Sequence, residues 1–77
     1  MQLNIKYFGL IAEITGCIEE TIEFSETLIS DVLDLLFKKY PDLKTKDFQV
    51  AQNNNIVSKE AKVLETEIAL LPPFSGG

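Results

Sequence analysis

The stretch that decides the fold is residues 28–40, which read LISDVLDLLFKKY. Its apolar residues recur at the intervals of an amphipathic helix, namely Ile29, Val32, Leu33, Leu36 and Tyr40. Thr27 is placed to cap this helix, and Pro41 stops it. Asp31 near the start and two lysines near the end complement the helix dipole. The pattern predicts one long helix that serves as the main cover of a sheet.

Two strands are predicted before this helix. Residues 2–8 alternate polar and apolar side chains, which is typical of a half-buried strand. Residues 18–24 predict a second strand, with Ile18, Ile22 and Phe24 on its inner face. Glu20 interrupts that inner row, so pairing is expected to begin after it. Between the strands, residues 9–15 have helical spacing, and Gly16 follows as a left-handed C-cap.

Phe8 falls on the polar side of the first strand. If the strand reaches this residue, its ring points away from the core and Phe8 is a candidate contact residue. If the strand ends earlier, Phe8 turns inward instead. The pattern leaves both alternatives open.

After the long helix, residues 48–51 and 56–57 predict short strands joined by an Asn-rich turn, in which Asn53, Asn54 and Asn55 tolerate positive φ. Residues 67–71 predict the last strand, with Ile68 and Leu70 inward and Ala69 and Leu71 outward. Pro72 ends it because proline cannot donate a ladder hydrogen bond.

This order of elements predicts an α+β roll, in which a mixed sheet of four or five strands wraps over one main helix. Parallel pairing of the first and last strands would place both in the middle of the sheet. We expect a folded domain over residues 1–71 and an extended C-terminal arm over residues 72–77.

Composition narrows the classes of function. The chain has 77 residues, which allows one domain, and a net charge of −5 without any Arg, which disfavours binding to nucleic acid. The acidity indicates either a partner with a basic surface or simply solubility. Cys17 is the only cysteine, and no leader or membrane-spanning run is visible. We therefore expect a cytoplasmic protein with no membrane partner.

The inventory of reactive side chains is nearly empty. Without His or Arg and with one Cys, the chain lacks the residues for a nucleophile–histidine pair or a common zinc site. No Gly-rich phosphate loop precedes a helix. Cys17 is expected to be a packed or semi-exposed thiol and not a nucleophile. We predict no bound cofactor, no metal site and no catalytic residue acting alone.

The last residues, 70–77, read LLPPFSGG. After two prolines, residues 74–77 are expected to form a mobile arm that ends in the α-carboxylate of Gly77. Two glycines let a backbone enter a narrow channel. The carboxylate would need activation, for example as an acyl-adenylate, before sulfur or an amine could attack it. The alternative is a frayed or engineered end.

Three segments together carry a resemblance over the full length. They are YFGLIAEITG at residues 7–16, AQNNNIV at 51–57 and IALLPPFSGG at 68–77. The chain resembles the small subunits of molybdopterin synthase, a family of ubiquitin-like β-grasp sulfur carriers. The resemblance implies that a ubiquitin-activating-like adenylyltransferase consumes ATP and converts Gly77 to a glycyl adenylate. A cysteine desulfurase or other sulfur donor would then give the thiocarboxylate, a 1-thioglycine.

The resemblance also implies a place for each part of the carrier. The segment Phe74, Ser75 and Gly76 would thread into the synthase large subunit and present Gly77 to cyclic pyranopterin monophosphate during molybdenum cofactor synthesis. An outward patch would dock on the large subunit in a heterotetramer; its candidate residues are Phe8, Ile56, Leu71 and Phe74. Two alternatives remain: a carrier for thiamine or tRNA thiolation, and a protein modifier conjugated through Gly77.

Overall fold

The computed structural model describes residues 1–73 as a five-stranded mixed sheet with one long helix against it. The elements in chain order are β1 (Gln2–Tyr7), α1 (Leu10–Thr15), β2 (Glu19–Glu23), α2 (Ile29–Lys39), a 3₁₀ turn (Pro41–Thr45), β3 (Gln49–Gln52), β4 (Asn55–Val57) and β5 (Glu67–Leu71). The strand order across the sheet is β2-β1-β5-β3-β4. The predicted α+β roll is confirmed, with five strands.

The two ends of the described chain meet in the middle of the sheet. Strand β1 runs parallel to β5, with Ile5 opposite Ile68 and Tyr7 opposite Leu70. On their outer sides β1 pairs antiparallel with β2, and β5 pairs antiparallel with β3. Both central strands are therefore hydrogen-bonded on two sides, as the predicted parallel pairing required.

The core lies between the inner face of the sheet and α2. The helix buries one stripe of side chains at the predicted spacing, namely Ile29, Val32, Leu33 and Leu36. The inner rows of the central strands meet this stripe with Leu3, Ile5, Tyr7, Ile68 and Leu70. Leu43, in the 3₁₀ turn, and Ile11, in α1, are buried in the same core. Burial of this apolar surface is the main source of stability.

The start of α2 differs from the prediction. Thr27 does not cap the helix; its N-cap is Leu28, whose side chain has no acceptor. The carboxylate of Asp31 instead accepts hydrogen bonds from the backbone N–H groups of Leu28, at 2.9 Å, and Thr27, at 3.4 Å. An acidic residue three positions into the helix satisfies these free donors and also suits the positive end of the helix dipole.

Strand β2 also corrects two predictions. Ile18 lies before the strand and is 75% exposed, so it does not belong to the inner row. Pairing begins before Glu20 rather than after it, because Glu19 lies opposite Lys6 and Glu20 lies opposite Ile5. Glu20 occupies an inner position because other side chains satisfy its carboxylate, as described below.

The predicted turns are confirmed. Asn53 and Asn54 adopt φ angles of 51° and 61° between β3 and β4, the left-handed region that a two-residue hairpin turn requires. Gly16 ends α1 with φ 79°, and its N–H donates to the carbonyl of Ala12 at 2.9 Å. No helix among the described residues combines the length and apolar character needed to cross a bilayer.

Candidate functional site

A shallow apolar depression lies on the outward face of the sheet. Its lining includes the predicted contact residues Phe8, Ile56 and Leu71. Phe8 is 45% exposed and Ile56 is 51% exposed, whereas Leu71 is half-buried. We call this surface, together with Ala51 and Ala69, the outward patch.

Strand register explains why these side chains come together. The outward positions Ala69 and Ala51 lie opposite each other on β5 and β3, and Ala51 also lies opposite Ile56 on β4. Two small side chains thus form a low floor across the middle of the sheet. Larger side chains stand around it, with Ile56 on one side and Phe8 on the other.

Phe8 follows directly after β1, and its ring remains outward. The strand ends at Tyr7, yet the N–H of Phe8 still donates to the carbonyl of Leu70 at 3.1 Å. This bond continues the ladder by one residue and keeps the alternation of side chains, so Phe8 does not turn inward. The alternative with an exposed ring is the one that the structure adopts.

The rim of the outward patch is polar. Lys6 Nζ lies 3.4 Å from Glu67 Oε2, and both side chains are substantially exposed. Asn53 and Asn54 of the hairpin turn border the other end. An exposed ion pair of this kind contributes about 1 kcal/mol or less to stability. An apolar centre with a polar rim is the composition of a surface that associates with another protein.

The outward patch adjoins the point where the chain leaves the sheet. Leu71 is the last residue of β5, and Pro72 follows it half-buried. The predictions for Phe74, Ser75, Gly76 and Gly77 lie outside the described residues. Their roles and the roles of Phe8, Ile56 and Leu71 in binding stay predictions.

A polar cluster around Glu20 was missed at the sequence level. The Glu20 carboxylate accepts hydrogen bonds from the hydroxyls of Tyr7, at 2.6 Å, and Tyr40, at 2.5 Å, and from Lys39. Desolvation by burial raises the pKa of Glu20, but the bonds from Lys39, Tyr40 and Tyr7 outweigh it and hold the pKa below its ordinary value. Burial and the same carboxylate raise the pKa of both tyrosines.

This cluster joins the end of α2 to β1 and β2, on the opposite side of the sheet from the outward patch. Cys17 lies beside it half-buried, with its Sγ 3.9 Å from a Glu20 oxygen, and packs against the core as predicted. Within residues 1–73, His, Cys, Asp and Glu side chains form no group of three that could hold a metal ion. The hydrogen bonds of Glu20 thus connect the C-terminal end of α2 to β1 and β2.

Comparison with known proteins identifies the family. A profile described as the ThiS family matches residues 5–77. The chain belongs to the ThiS family. Two curated relatives are named molybdopterin synthase sulfur carrier subunit, one from Caenorhabditis briggsae and one from Chlamydomonas reinhardtii. Each is 32% identical over the whole of this chain, which covers 99% and 100% of their lengths.

Solved structures agree with the fold of this ThiS family member. A putative molybdopterin converting factor subunit 1 from Pyrococcus furiosus superposes with a TM-score of 0.87 at 22% identity, covering 96% of this chain and 99% of that one. SAMP1 from Haloferax volcanii gives a TM-score of 0.78 at 26% identity, with both chains fully covered. A structure of H. volcanii small archaeal modifier protein 1 gives the same TM-score at 24% identity, covering 95% of this chain and 98% of that one. These similarities confirm the predicted ubiquitin-like β-grasp fold.

Proposed function

We propose that this protein is the sulfur-carrier subunit of a molybdopterin synthase and that Gly77 is its working residue. The observation that carries the proposal is the outward patch, an exposed apolar surface beside the point where the chain leaves β5 towards its C-terminal Gly-Gly. The family match extends through residue 77. Two curated relatives, of which this chain covers 99% and 100%, are named molybdopterin synthase sulfur carrier subunit.

The proposed chemistry takes place on the α-carboxylate of Gly77. A ubiquitin-activating-like adenylyltransferase joins this carboxylate to the AMP part of ATP and releases pyrophosphate. The persulfide of a sulfur donor, such as a cysteine desulfurase relay, then attacks the adenylate carbonyl and displaces AMP to give an acyl disulfide. A thiol reduces the S–S bond of this acyl disulfide, which leaves the thiocarboxylate on Gly77 and a disulfide on the donor side. That sulfur passes to cyclic pyranopterin monophosphate, and the carrier is returned with an ordinary carboxylate.

In this proposal the carrier supplies sulfur and its partners supply acid, base and phosphate-binding groups. The outward patch docks on the synthase large subunit in a cytoplasmic heterotetramer with two carriers. Phe8 and Ile56 are exposed at its margins, so they can be buried without unfolding the carrier. Residues 74–76 then lead Gly77 into the large-subunit active site.

Reconstitution tests the proposal. The thiocarboxylated protein is mixed with a molybdopterin synthase large subunit and cyclic pyranopterin monophosphate, and molybdopterin is measured together with the mass of the spent carrier. We expect molybdopterin to form as the thiocarboxylate is consumed. Unmodified protein, which retains an ordinary carboxylate, is the control. A thiocarboxylated carrier that binds the large subunit but yields no molybdopterin would refute the proposal.

A second candidate function is covalent modification of other proteins through Gly77. The observation that favours it is the full-length similarity to small archaeal modifier protein 1. Both functions begin with adenylation of Gly77, so they differ only in whether sulfur or a lysine amine then displaces AMP. Higher-mass conjugates that carry the Gly77 carbonyl on lysine side chains would indicate the modifier. Delivery of sulfur to thiamine precursors or tRNA, with no molybdopterin formed, would indicate a sibling carrier.

A further inference from the structure

Gly9 has a backbone conformation that other residues rarely adopt. Its φ and ψ are 58° and −135°, a region that is open to glycine and strained for residues with a Cβ. It lies in the link between β1 and α1, directly after Phe8 of the outward patch. The proposed function gives Gly9 no role.

The missing side chain of Gly9 leaves space for Pro72. A Cβ built on Gly9 would lie 2.8 Å from Pro72 Cγ, closer than two carbon atoms can approach without displacement. Pro72 Cγ belongs to a ring that is closed onto the backbone nitrogen, so it has little freedom to swing aside. A side chain at Gly9 would therefore have to move the backbone at Pro72 or at Gly9 itself.

The link that contains Gly9 is held in place on both sides. The N–H of Phe8 donates to the carbonyl of Leu70, which fixes the link to the end of β5. The carbonyls of Phe8 and Gly9 accept from Ile11 and Ala12, both at 3.1 Å, in the first turn of α1. Pro72, which has no ladder hydrogen bond to break, is the partner more easily displaced.

We propose that Gly9 is a positioning residue for the C-terminal segment: by leaving room for the Pro72 ring, it sets the direction in which the chain leaves β5 relative to the outward patch. This inference rests on the proposed function for its consequence. Residues 72–77 reach at most about 20 Å when extended. If Pro72 is displaced, these few residues must make up the change in position for Gly77 to reach the same point. Misplacement by about 1 Å can slow a positioned reaction by about a hundredfold.

The test measures binding and transfer separately. Gly9→Ala is thiocarboxylated and mixed with a molybdopterin synthase large subunit at saturating concentration, and the single-turnover rate constant for sulfur transfer is recorded. We expect a fall of about tenfold or more, with affinity for the large subunit nearly unchanged because the outward patch remains. A rate constant equal to that of the wild type would overturn the inference.

Two further variants distinguish displacement from strain. Gly16→Ala is the matched control, because Gly16 also has a positive φ, 79°, but nothing lies within 4 Å of an added Cβ. It should lose some stability and transfer sulfur at the wild-type rate. Gly9→Ala combined with Pro72→Ala removes the ring that the new methyl group meets, so transfer should recover. A double variant as slow as Gly9→Ala would overturn the inference.

If Gly9→Ala does not fold, its combinations with Pro72→Ala and with Pro73→Ala carry the test. Each double variant removes one proline ring, but the three atoms nearest to a Cβ added at Gly9 all belong to Pro72. The inference expects folding and transfer to be restored with Pro72→Ala and not with Pro73→Ala, and equal behaviour of the two double variants would overturn it. If even the wild-type protein transfers no sulfur, the proposed function is refuted, but the placement of Pro72 by Gly9 is not. A nuclear Overhauser contact between Gly9 α-protons and Pro72 γ-protons then decides the inference, and its absence would overturn it.

Discussion

Phe8 presents an aromatic ring that is 45% exposed at the edge of the outward patch. Because the ring contributes little to the core, Phe8→Ala should lower the free energy of unfolding by about 1 kcal/mol or less. Buried against a partner, the same ring is the kind of anchor that contributes about 2 kcal/mol to affinity. Isothermal titration with the large subunit and urea denaturation measure these two quantities.

Leu64→Ala is the matched control for Phe8→Ala, since Leu64 is 76% exposed and lies outside the outward patch. It should leave both affinity and stability nearly unchanged. A stability loss of about 3 kcal/mol in Phe8→Ala would show that Phe8 is a core residue instead. Unchanged affinity would remove it from the docking surface.

Glu20 makes stability depend on acid pH. Since the pKa of its carboxylate is lowered in the folded protein, ionised Glu20 stabilises the fold above the unfolded-state pKa. That stability is lost as the pH falls from about 4.5 through the folded-state pKa. Glu20→Gln should cost about 1–2 kcal/mol at neutral pH, because an amide accepts more weakly from Tyr7, Tyr40 and Lys39. Urea titrations between pH 3 and 7 would show a flatter profile for Glu20→Gln.

Glu19→Gln provides the comparison for Glu20→Gln. Glu19 is the neighbouring carboxylate, but it is exposed, and it accepts from the side chain of Asn4 at 3.0 Å. We expect its replacement to change stability by about 0.5 kcal/mol or less. Equal losses in the two variants would mean that general charge, and not the Glu20 cluster, governs the acid response.

The N-terminus of helix α2 allows the capping contributions of Asp31 and Thr27 to be compared. Asp31 accepts from two backbone N–H groups, whereas Thr27 makes no side-chain cap. Asp31→Ala should therefore lower the free energy of unfolding by about 1 kcal/mol, and Thr27→Ala by much less. Thermal and urea denaturation of both variants measure the difference. A larger loss in Thr27→Ala would restore Thr27 as the cap.

The elements that were predicted correctly are those whose pattern is local. Helix α2 repeats its apolar spacing over several turns, and β5 alternates cleanly between inward Ile68 and Leu70 and outward Ala69 and Leu71. The start of β2 was predicted wrongly because an inner face was expected to contain only apolar residues, so that Glu20 was placed before the paired part of the strand. The groups that satisfy Glu20 are 13, 19 and 20 residues away in the chain, so no local pattern reveals them.

The same distinction holds for the candidate site. Alternation alone identified Leu71 as an outward residue, but it left Phe8 open, because the hydrogen bond from Phe8 to Leu70 that keeps its ring outward comes from the pairing of β1 with β5. The alanine floor depends on the pairing of β3 with both β4 and β5, which pattern alone does not determine. The contact of Gly9 with Pro72 joins the two ends of the chain and requires the parallel pairing of β1 and β5. Such contacts arise only from tertiary structure.

Considered as a whole, the molecule attaches its C-terminal segment to a central strand of the sheet. Strand β5 is central, pairs with a strand on each side, and buries Ile68 and Leu70 completely. Local unfolding of β5 would break its pairing with both neighbouring strands, so it requires disruption of much of the fold. A firmly paired strand beside the outward patch suits the carrier function that we propose.

The modification of Gly77 tests the central claim most directly. The protein is incubated with a ubiquitin-activating-like adenylyltransferase, ATP, and a cysteine desulfurase with cysteine. Its intact mass is measured, and the protein is then fragmented in the mass spectrometer. Replacing one oxygen of Gly77 by sulfur changes the mass by nearly as much as oxidation of Met1 or Cys17 by one oxygen. The fragments must therefore show which of these residues carries the mass shift. We expect ATP-dependent incorporation of sulfur on Gly77, and no ATP-dependent incorporation anywhere in the variant that lacks Gly77. An unmodified Gly77, with the mass shift on Met1 or Cys17, would contradict it.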